Sequence, residues 1–344
     1  MYKKLKWTLV AGLFFSTAQA QQKPYYTQVV MNNYILNPAL SGIENYTDLK
    51  ISYRNQWTSL TGAPVTTYLS VHGPIGKKDY ATTATSFEMK GVNPRGKSFM
   101  NDYTVSPPHH GAGAVIMNDK TGFFSRFSAF ATYAYHKPLG AKTALAAGFQ
   151  AGISSISLDR SKIVWGSLDP NDPAIGYTNG DLKRLRPELG AGLWLYSKNY
   201  FIGASVLNVI PGKVNFVKNN KYGDSFDPHF FATAGYRFLL NDDFSLLPSV
   251  GVQMVNPQPI MLMGNVKLQY QDLLWLGGTY RHSDVLGGYA AMVGINIAQS
   301  VTIGYSYDNA TTSRLKNYVG NTHEIMIGFL LGNKYGDSCP RNVW

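Results

Sequence analysis

The chain has 344 residues, of which 44% are hydrophobic and only 15% charged, with a formal net charge of +11. Its 34 Gly, 23 Tyr and 17 Phe point to strands and turns, and exclude a disordered or coiled-coil chain. The single Cys, Cys339, excludes an internal disulfide.

Residues 1–20 have the form of a secretory leader: Lys3, Lys4 and Lys6, then "WTLVAGLFF", then the small residues Ala18–Ala20 before Gln21. Cleavage is expected after Ala20. No Cys stands there to carry a lipid anchor. Without the three leader lysines the formal charge falls from +11 to about +8. In a secreted chain such a balance predicts a basic interior or contact with acidic lipid or protein, and no nucleic-acid partner. No later window approaches the ~20 apolar residues of a spanning helix.

The stretch "MNNYILNPALSG", residues 31–42, fits neither a strand nor a linker. It carries Asn-Pro and Ser-Gly breakers beside apolar residues that must be hidden from water. Residues 21–46 are therefore expected to form an ordered plug or latch, at the periplasmic mouth or in the lumen of whatever follows. Tyr34, Leu36, Asn37, Pro38 and Leu40 would be its contact residues, and Gly42 would free the bend into the first strand.

From residue 47 onward the chain repeats segments of about ten residues that alternate in polarity between turn residues, the pattern of a membrane barrel. "LKISYRNQW" sets Leu49, Ile51, Tyr53 and Trp57 against Lys50, Ser52, Arg54 and Gln56. "VTIGYSYD" sets Val301, Ile303, Tyr305 and Tyr307 against Thr302, Gly304, Ser306 and Asp308. The expected strands are 48–57, 64–73, 111–118, 123–137, 142–157, 187–197, 200–210, 228–240, 243–256, 260–271, 273–282, 285–298, 300–309 and 322–331. The fold class is thus all-β: a transmembrane outer-membrane β-barrel of about 14 antiparallel strands over 47–332, with an ordered N-terminal segment. A C-terminal periplasmic tail spans 333–344. Connections at the N-terminal end are tight ("KPLGAK", "SKN", "NDD", "AQS"), except residues 74–110, a periplasmic insertion. Tyr25, Tyr26, Tyr53, Trp57, Tyr68, Tyr133, Tyr135, Trp194, Tyr196, Tyr200, Tyr270, Trp275 and Tyr305 are expected to form interfacial girdles.

Lys50, Arg54, Arg126, Arg237, Lys267 and Arg281 fall on the polar face of their strands and would face the lumen. Three states stay open for them: a water-filled anion-selective pore, pairing with the plug, or pairing with wall acids such as Glu324 and Asp308. Catalysis and metal binding find little support. His109-His110 in "SPPHHG" lacks the partners that complete a zinc set and is expected in a solvated loop. "DPNDP" (Asp169–Pro173) lacks the Gly and distal Glu of an EF-hand. His282 with Asp284, and His323 with Glu324, have no nucleophile placed beside them. No enzymatic activity, metal or cofactor is expected.

In combination, "QQKPYYTQVVMNNYILNPALSG", "YRNQWTSLTGAPVTTYLSVHGPIGKK", "NDKTGFF" and the closing "CPR" are informative. The chain resembles the PorP/SprF family, outer-membrane proteins of the type IX secretion and gliding-motility systems, from Tyr25 to Arg341. The resemblance implies a non-catalytic barrel that docks or anchors the C-terminal domain of a secreted cell-surface adhesin and supports its surface localisation. Tyr177, Arg184 and Arg186, then Phe216, Tyr222 and Tyr318, are candidate partner-binding residues by their position in outside loops. Two alternatives remain. One is a core type IX secretion subunit bridging to a periplasmic peptidoglycan-binding partner; the other is a general anion-preferring porin. The family commonly makes a short turn after "GPIGKK", where this chain inserts about thirty residues, and it often ends in Cys-Pro-Arg and one aromatic, whereas Asn342 and Val343 intervene here before Trp344.

Overall fold

The computed structural model describes residues 32–77, 104–159, 183–210, 212–214, 224–255, 259–271, 273–283, 287–297, 300–310 and 317–332. The expected leader, residues 78–103 of the expected insertion, Tyr177, Phe216, Tyr222 and the tail with Cys339 lie outside these residues.

The strands are β1 (Thr47–Asn55), β2 (Val65–Ile75), β3 (His109–Thr121), β4 (Phe124–Pro138), β5 (Thr143–Leu158), β6 (Lys183–Ser197) and β7 (Tyr200–Leu207). After a small ribbon, β8 (Gly212–Val214) with β9 (Asp224–Phe226), come β10 (His229–Tyr236) and β11 (Phe238–Leu239). The remainder are β12 (Phe244–Val255), β13 (Met261–Tyr270), β14 (Leu274–His282), β15 (Gly288–Ile297), β16 (Val301–Asn309) and β17 (Thr322–Leu331).

Each wall strand pairs antiparallel with the next, and β1 pairs with β17, from Thr47 opposite Leu331 to Asn55 opposite His323. The sheet is therefore a closed up-and-down barrel. β10 and β11 count as one wall strand: Gly235 faces Ser249 and Phe238 faces Leu246, so the register against β12 runs through unbroken. The interruption lies opposite Pro248, which has no N–H to give a ladder. The wall thus has fourteen strands, the even number that the alternating segments predict.

Parity decides what each side chain meets. In β1, Ile51 and Tyr53 are about half exposed on the outer surface while Ser52 and Arg54 are buried inside. Leu189, Leu193 and Ile202 continue the apolar exterior on β6 and β7, beside inward Glu188, Trp194 and Phe201. No described helix is long and apolar enough to cross a membrane, which says nothing against strands doing so.

The aromatic positions need correction. Tyr53, Tyr133, Tyr135 and Tyr305 face outward, but Tyr68, Trp194, Tyr196 and Trp275 are buried in the lumen. Nearness to a strand end does not make a girdle; parity must also point the ring at lipid. The outer face does carry one aromatic-histidine cluster toward each rim. His110 Nδ1 lies 2.6 Å from the Tyr133 hydroxyl, and His323 Nδ1 lies 2.8 Å from that of Tyr305. These amphipathic groups suit the two bilayer boundaries.

An exterior of this kind makes a mid-strand charge costly. Leu193→Lys should destabilise the barrel by roughly 2–4 kcal/mol, read as a lowered urea midpoint in liposomes, while Lys at the rim-near Leu185 should cost under about 1 kcal/mol.

Candidate functional site: a filled lumen

The interior has two storeys. The half toward the short turns is occupied by residues 32–43, and the half toward the longer loops is braced by ion pairs.

Residues 32–43 are compact because Asn37 and Pro38 divide them. Asn37 is extended, its side-chain oxygen accepts the Ala39 N–H at 3.0 Å, and Pro38 opens a 3-10 turn over Pro38–Leu40 that follows another over Asn33–Ile35. The same Asn37 amide donates to the carbonyls of Leu193 at 3.0 Å and Ala204 at 3.3 Å, which ties the turn to β6 and β7. Ser205 Oγ donates to the Leu36 carbonyl at 2.6 Å. On the other side, Asn32 donates to Ser70 Oγ at 3.1 Å, and Tyr34 Oη meets Thr132 Oγ1 at 2.7 Å. Burial pushes the Tyr34 phenol up to about 12, so it remains a neutral hydroxyl.

The wall is shaped to admit this segment. A Cβ built on Gly148 would lie 2.6 Å from the Ala39 Cα, and one on Gly192 would overlap the Asn37 carboxamide oxygen. One on Gly111 would collide with the Ser41 carbonyl. The exit is equally tight: Gly42 has φ +72°, and a Cβ there would come within 2.5 Å of the Gly111 Cα. Tyr34, Asn37, Pro38 and Leu40 are thus buried against the inner wall, and Leu36 is partly buried beside them.

Three inward histidines surround the exit bend. His136 Nε2 donates to the Ser41 carbonyl at 2.8 Å, and its Nδ1 lies 3.1 Å from the Tyr196 hydroxyl. His109 stacks on His136 at 4.5 Å with a 3° tilt, and its Nδ1 donates to the Pro107 carbonyl at 2.9 Å. His72 Nδ1 accepts the Gly42 N–H at 3.3 Å. His109 and His110 are therefore strand residues on opposite faces, not a solvated loop pair, because β3 begins two residues earlier than the alternation suggests.

The basic lumen positions all lie inside, with different company. Arg54 reaches Glu324 at 3.1 Å and Asp308 at 3.3 Å, and Arg281 meets the other oxygen of Asp308. Arg126 pairs with Glu188 at 2.6 Å, and Lys50 with Asp48 at 2.6 Å. Lys267 sits 5.4 Å over the Trp275 ring, and Arg237 donates to the Lys198 carbonyl at 3.5 Å. Wall acids, rather than the N-terminal segment, take the charges of Arg54, Arg126 and Arg281.

Gaps remain beside residues 32–43, two of them bounded by described residues. A polar one of about 80 Å³ is lined by Asp48, Lys50, Lys267, Gln269 and Trp275. A mostly apolar one of about 30 Å³ lies against Trp194, Phe201, Leu247 and Met263. Among the described residues, no group of three or more His, Cys, Asp or Glu could hold a metal ion.

The loop candidates are less organised. Arg184 and Arg186 belong to β6, which starts earlier than expected; Arg186 donates to the Ile210 carbonyl and Arg184 is exposed. Tyr318, between β16 and β17, is 72% exposed. Sequence reasoning missed His72, Thr132, His136 and the inward glycines. The signal for them was parity: a His or Gly on the lumen face of a strand, where Ser or Thr is the ordinary choice.

Two substitutions probe the two storeys. Gly192→Leu cannot coexist with Asn37 in place, so it should expel residues 32–43 and open a conducting path, seen as new steps in planar bilayers. Arg54→Met leaves Glu324 and Asp308 short of a buried partner and should cost roughly 3–5 kcal/mol, measured by urea unfolding.

The chain matches the type IX secretion system membrane protein family PorP/SprF over residues 18–329. No curated protein sequence matches it. Among solved structures, the toluene transporter TbuX of Ralstonia pickettii is similar at 11% identity and TM-score 0.49, covering 86% of this chain and 92% of that one. The outer-membrane protein Omp33 of Acinetobacter baumannii shares 8% identity at TM-score 0.47, covering 85% of this chain and all of the other. A profile match over most of the sequence places this outer-membrane barrel in the PorP/SprF family of type IX secretion system membrane proteins.

Proposed function

We propose that the chain is a non-catalytic, non-conducting barrel that docks the C-terminal domain of a secreted cell-surface adhesin in the outer membrane and supports its surface localisation in gliding motility. The observation that carries this reading is the filled lumen. Residues 32–43 occupy one half, and in the other Arg54, Arg126 and Arg281 are matched by Glu188, Asp308 and Glu324. A porin needs an open aqueous path and, to prefer anions, unmatched positive charge along it. A docking scaffold needs only a rigid wall that presents its loops. The exposed Tyr318 and Arg184, with Tyr177, Phe216 and Tyr222, are the proposed contacts, and Arg186 is their neighbour on β6.

One feature favours a second reading, a core secretion subunit bridging to a periplasmic peptidoglycan-binding protein. The connection between Ile75 and His109 is long and leaves the barrel at the end of the short turns. Deleting the gene separates the two. Loss of a single adhesin from the cell surface, with other secreted proteins unchanged, is expected of a dedicated dock; loss of all type IX cargo would instead mark a core subunit. Planar-bilayer recording tests the filled lumen itself. The intact protein should be electrically silent at neutral pH, removal of residues 21–42 should raise its conductance, and a steady open channel in the intact protein would refute the docking scaffold in favour of a porin.

A further inference from the structure

We propose that His72, His109 and His136 form a proton-operated latch on the N-terminal plug: neutral, they hold the Ser41–Gly42 bend in the lumen, and protonated, they release it. The proposal concerns regulation of the plug and goes beyond the docking role, which does not require it.

Strands β2 and β4 each supply one imidazole to these two residues, and β3 stacks a third against the ring from β4. The bonds they make specify the neutral tautomers. His72 Nδ1 accepts the Gly42 N–H at 3.3 Å, so a proton added at that nitrogen removes the acceptor and sets two donors face to face. The proton of His72 then belongs on Nε2, which lies 3.9 Å from Asp48. In His136, Nε2–H donates to the Ser41 carbonyl while Nδ1 is free to accept from Tyr196. A proton on Nδ1 would turn that acceptor into a donor. His109 lies flat against His136, 4.5 Å away, so charging either ring of the buried stack sets it against its neighbour.

The surrounding charges add to this effect. Lys77, whose ammonium donates to the Ile43 carbonyl at 3.1 Å, lies near His109 and His136, and His110 adjoins His109 in the chain on the other face of the sheet. Lys50 faces His72 and is already held by Asp48. Glu44 and Asp48 are the acids lining the adjoining polar gap, and the rings of Tyr34 and Tyr196 lie against His72 and His136. Asp48 is within ion-pair reach of the His72 ring and favours a charged His72, which Lys50 opposes, while Lys77 opposes charge on His109 and His136. The released bend leaves the rings free to hydrate and take up protons. Release should therefore be linked to proton uptake, with the docked form favoured at high pH and progressively weakened as pH falls below the ordinary imidazole value of about 6.5.

The test uses the full-length protein in planar bilayers and in liposomes, from about pH 7.5 down to about pH 5, a range that brackets histidine titration. Wild type should be silent at the upper limit and gain at least about tenfold in open time per pH unit once one proton is linked to release. Amide exchange of residues 32–43, corrected for its intrinsic pH dependence, should accelerate over the same interval. His72→Asn keeps an oxygen acceptor for the Gly42 N–H but cannot titrate, and His109→Phe keeps the stacked ring without charge. Each should flatten the response, in conductance or, if a variant inserts poorly into bilayers, in amide exchange. A wild type that stays silent with unchanged exchange across the range would overturn the latch and leave the docking scaffold intact. Variants that respond to pH as wild type does would also overturn it. Steady conductance of wild type at the upper limit would overturn the plug, and with it both readings.

Discussion

The ladder between β1 and β17 is the constraint on which everything else rests. Hydrocarbon offers no water to an unpaired N–H or carbonyl, so an open edge at that seam would strand backbone groups of both strands in lipid. The seam also joins residues more than 250 positions apart, so no local propensity holds it. Side chains reinforce it from within. Glu324 on β17 stands directly opposite Arg54 on β1, accepts from both Arg54 and Ser52, and Arg54 reaches on to Asp308 of β16. Buried ion pairs are weak sources of stability in general, but they are specific about register. A one-residue slip here would put Arg54 into the bilayer and Tyr53 into the lumen.

Closure creates the second problem, an interior that must be filled or wet. The chain answers it with two materials. Where the wall presents Gly111, Gly148 and Gly192, backbone and small side chains of the N-terminal segment press in at van der Waals distance or closer than a methyl would allow. Where the wall presents long polar side chains, arginines and carboxylates span the space in pairs. The glycines and the ion pairs are thus complementary solutions to one packing requirement.

Much of this was legible in the sequence, for a physical reason. A strand between lipid and lumen has a period of two with strong contrast, so β1 and β16 could be assigned face by face. Asn37-Pro38 and Gly42 could be expected to make a turn and a bend because their backbone chemistry is local. What could not be read was anything that depends on two distant segments meeting. Trp194 and Trp275 looked like interfacial anchors because an aromatic near a strand end is ambiguous until register fixes its parity. The role of Gly192 exists only because Asn37, far away in sequence, needs the space. His72 and His136 are unremarkable singly and acquire meaning only when β2, β3 and β4 align them around Ser41 and Gly42. The extent of β3 was underestimated for a related reason: "SPPHHG" carries strong loop composition, yet His109 and His110 each find a partner on their own face of the sheet.

The plug touches the wall unevenly, and this bears on how the barrel comes to exist. Its hydrogen bonds run to β2, β4, β6 and β7, with glycines of β3 and β5 beneath it, all strands that directly follow it in the chain. The strands of the other half, β10 to β16, border the two gaps instead. Residues 32–43 are therefore placed to serve as a mandrel: the first half of the wall can wind around them through contacts 38 to 169 positions apart, before the more distant seam is made. On this view the segment that fills half of the finished barrel is also the former against which half of its wall was shaped.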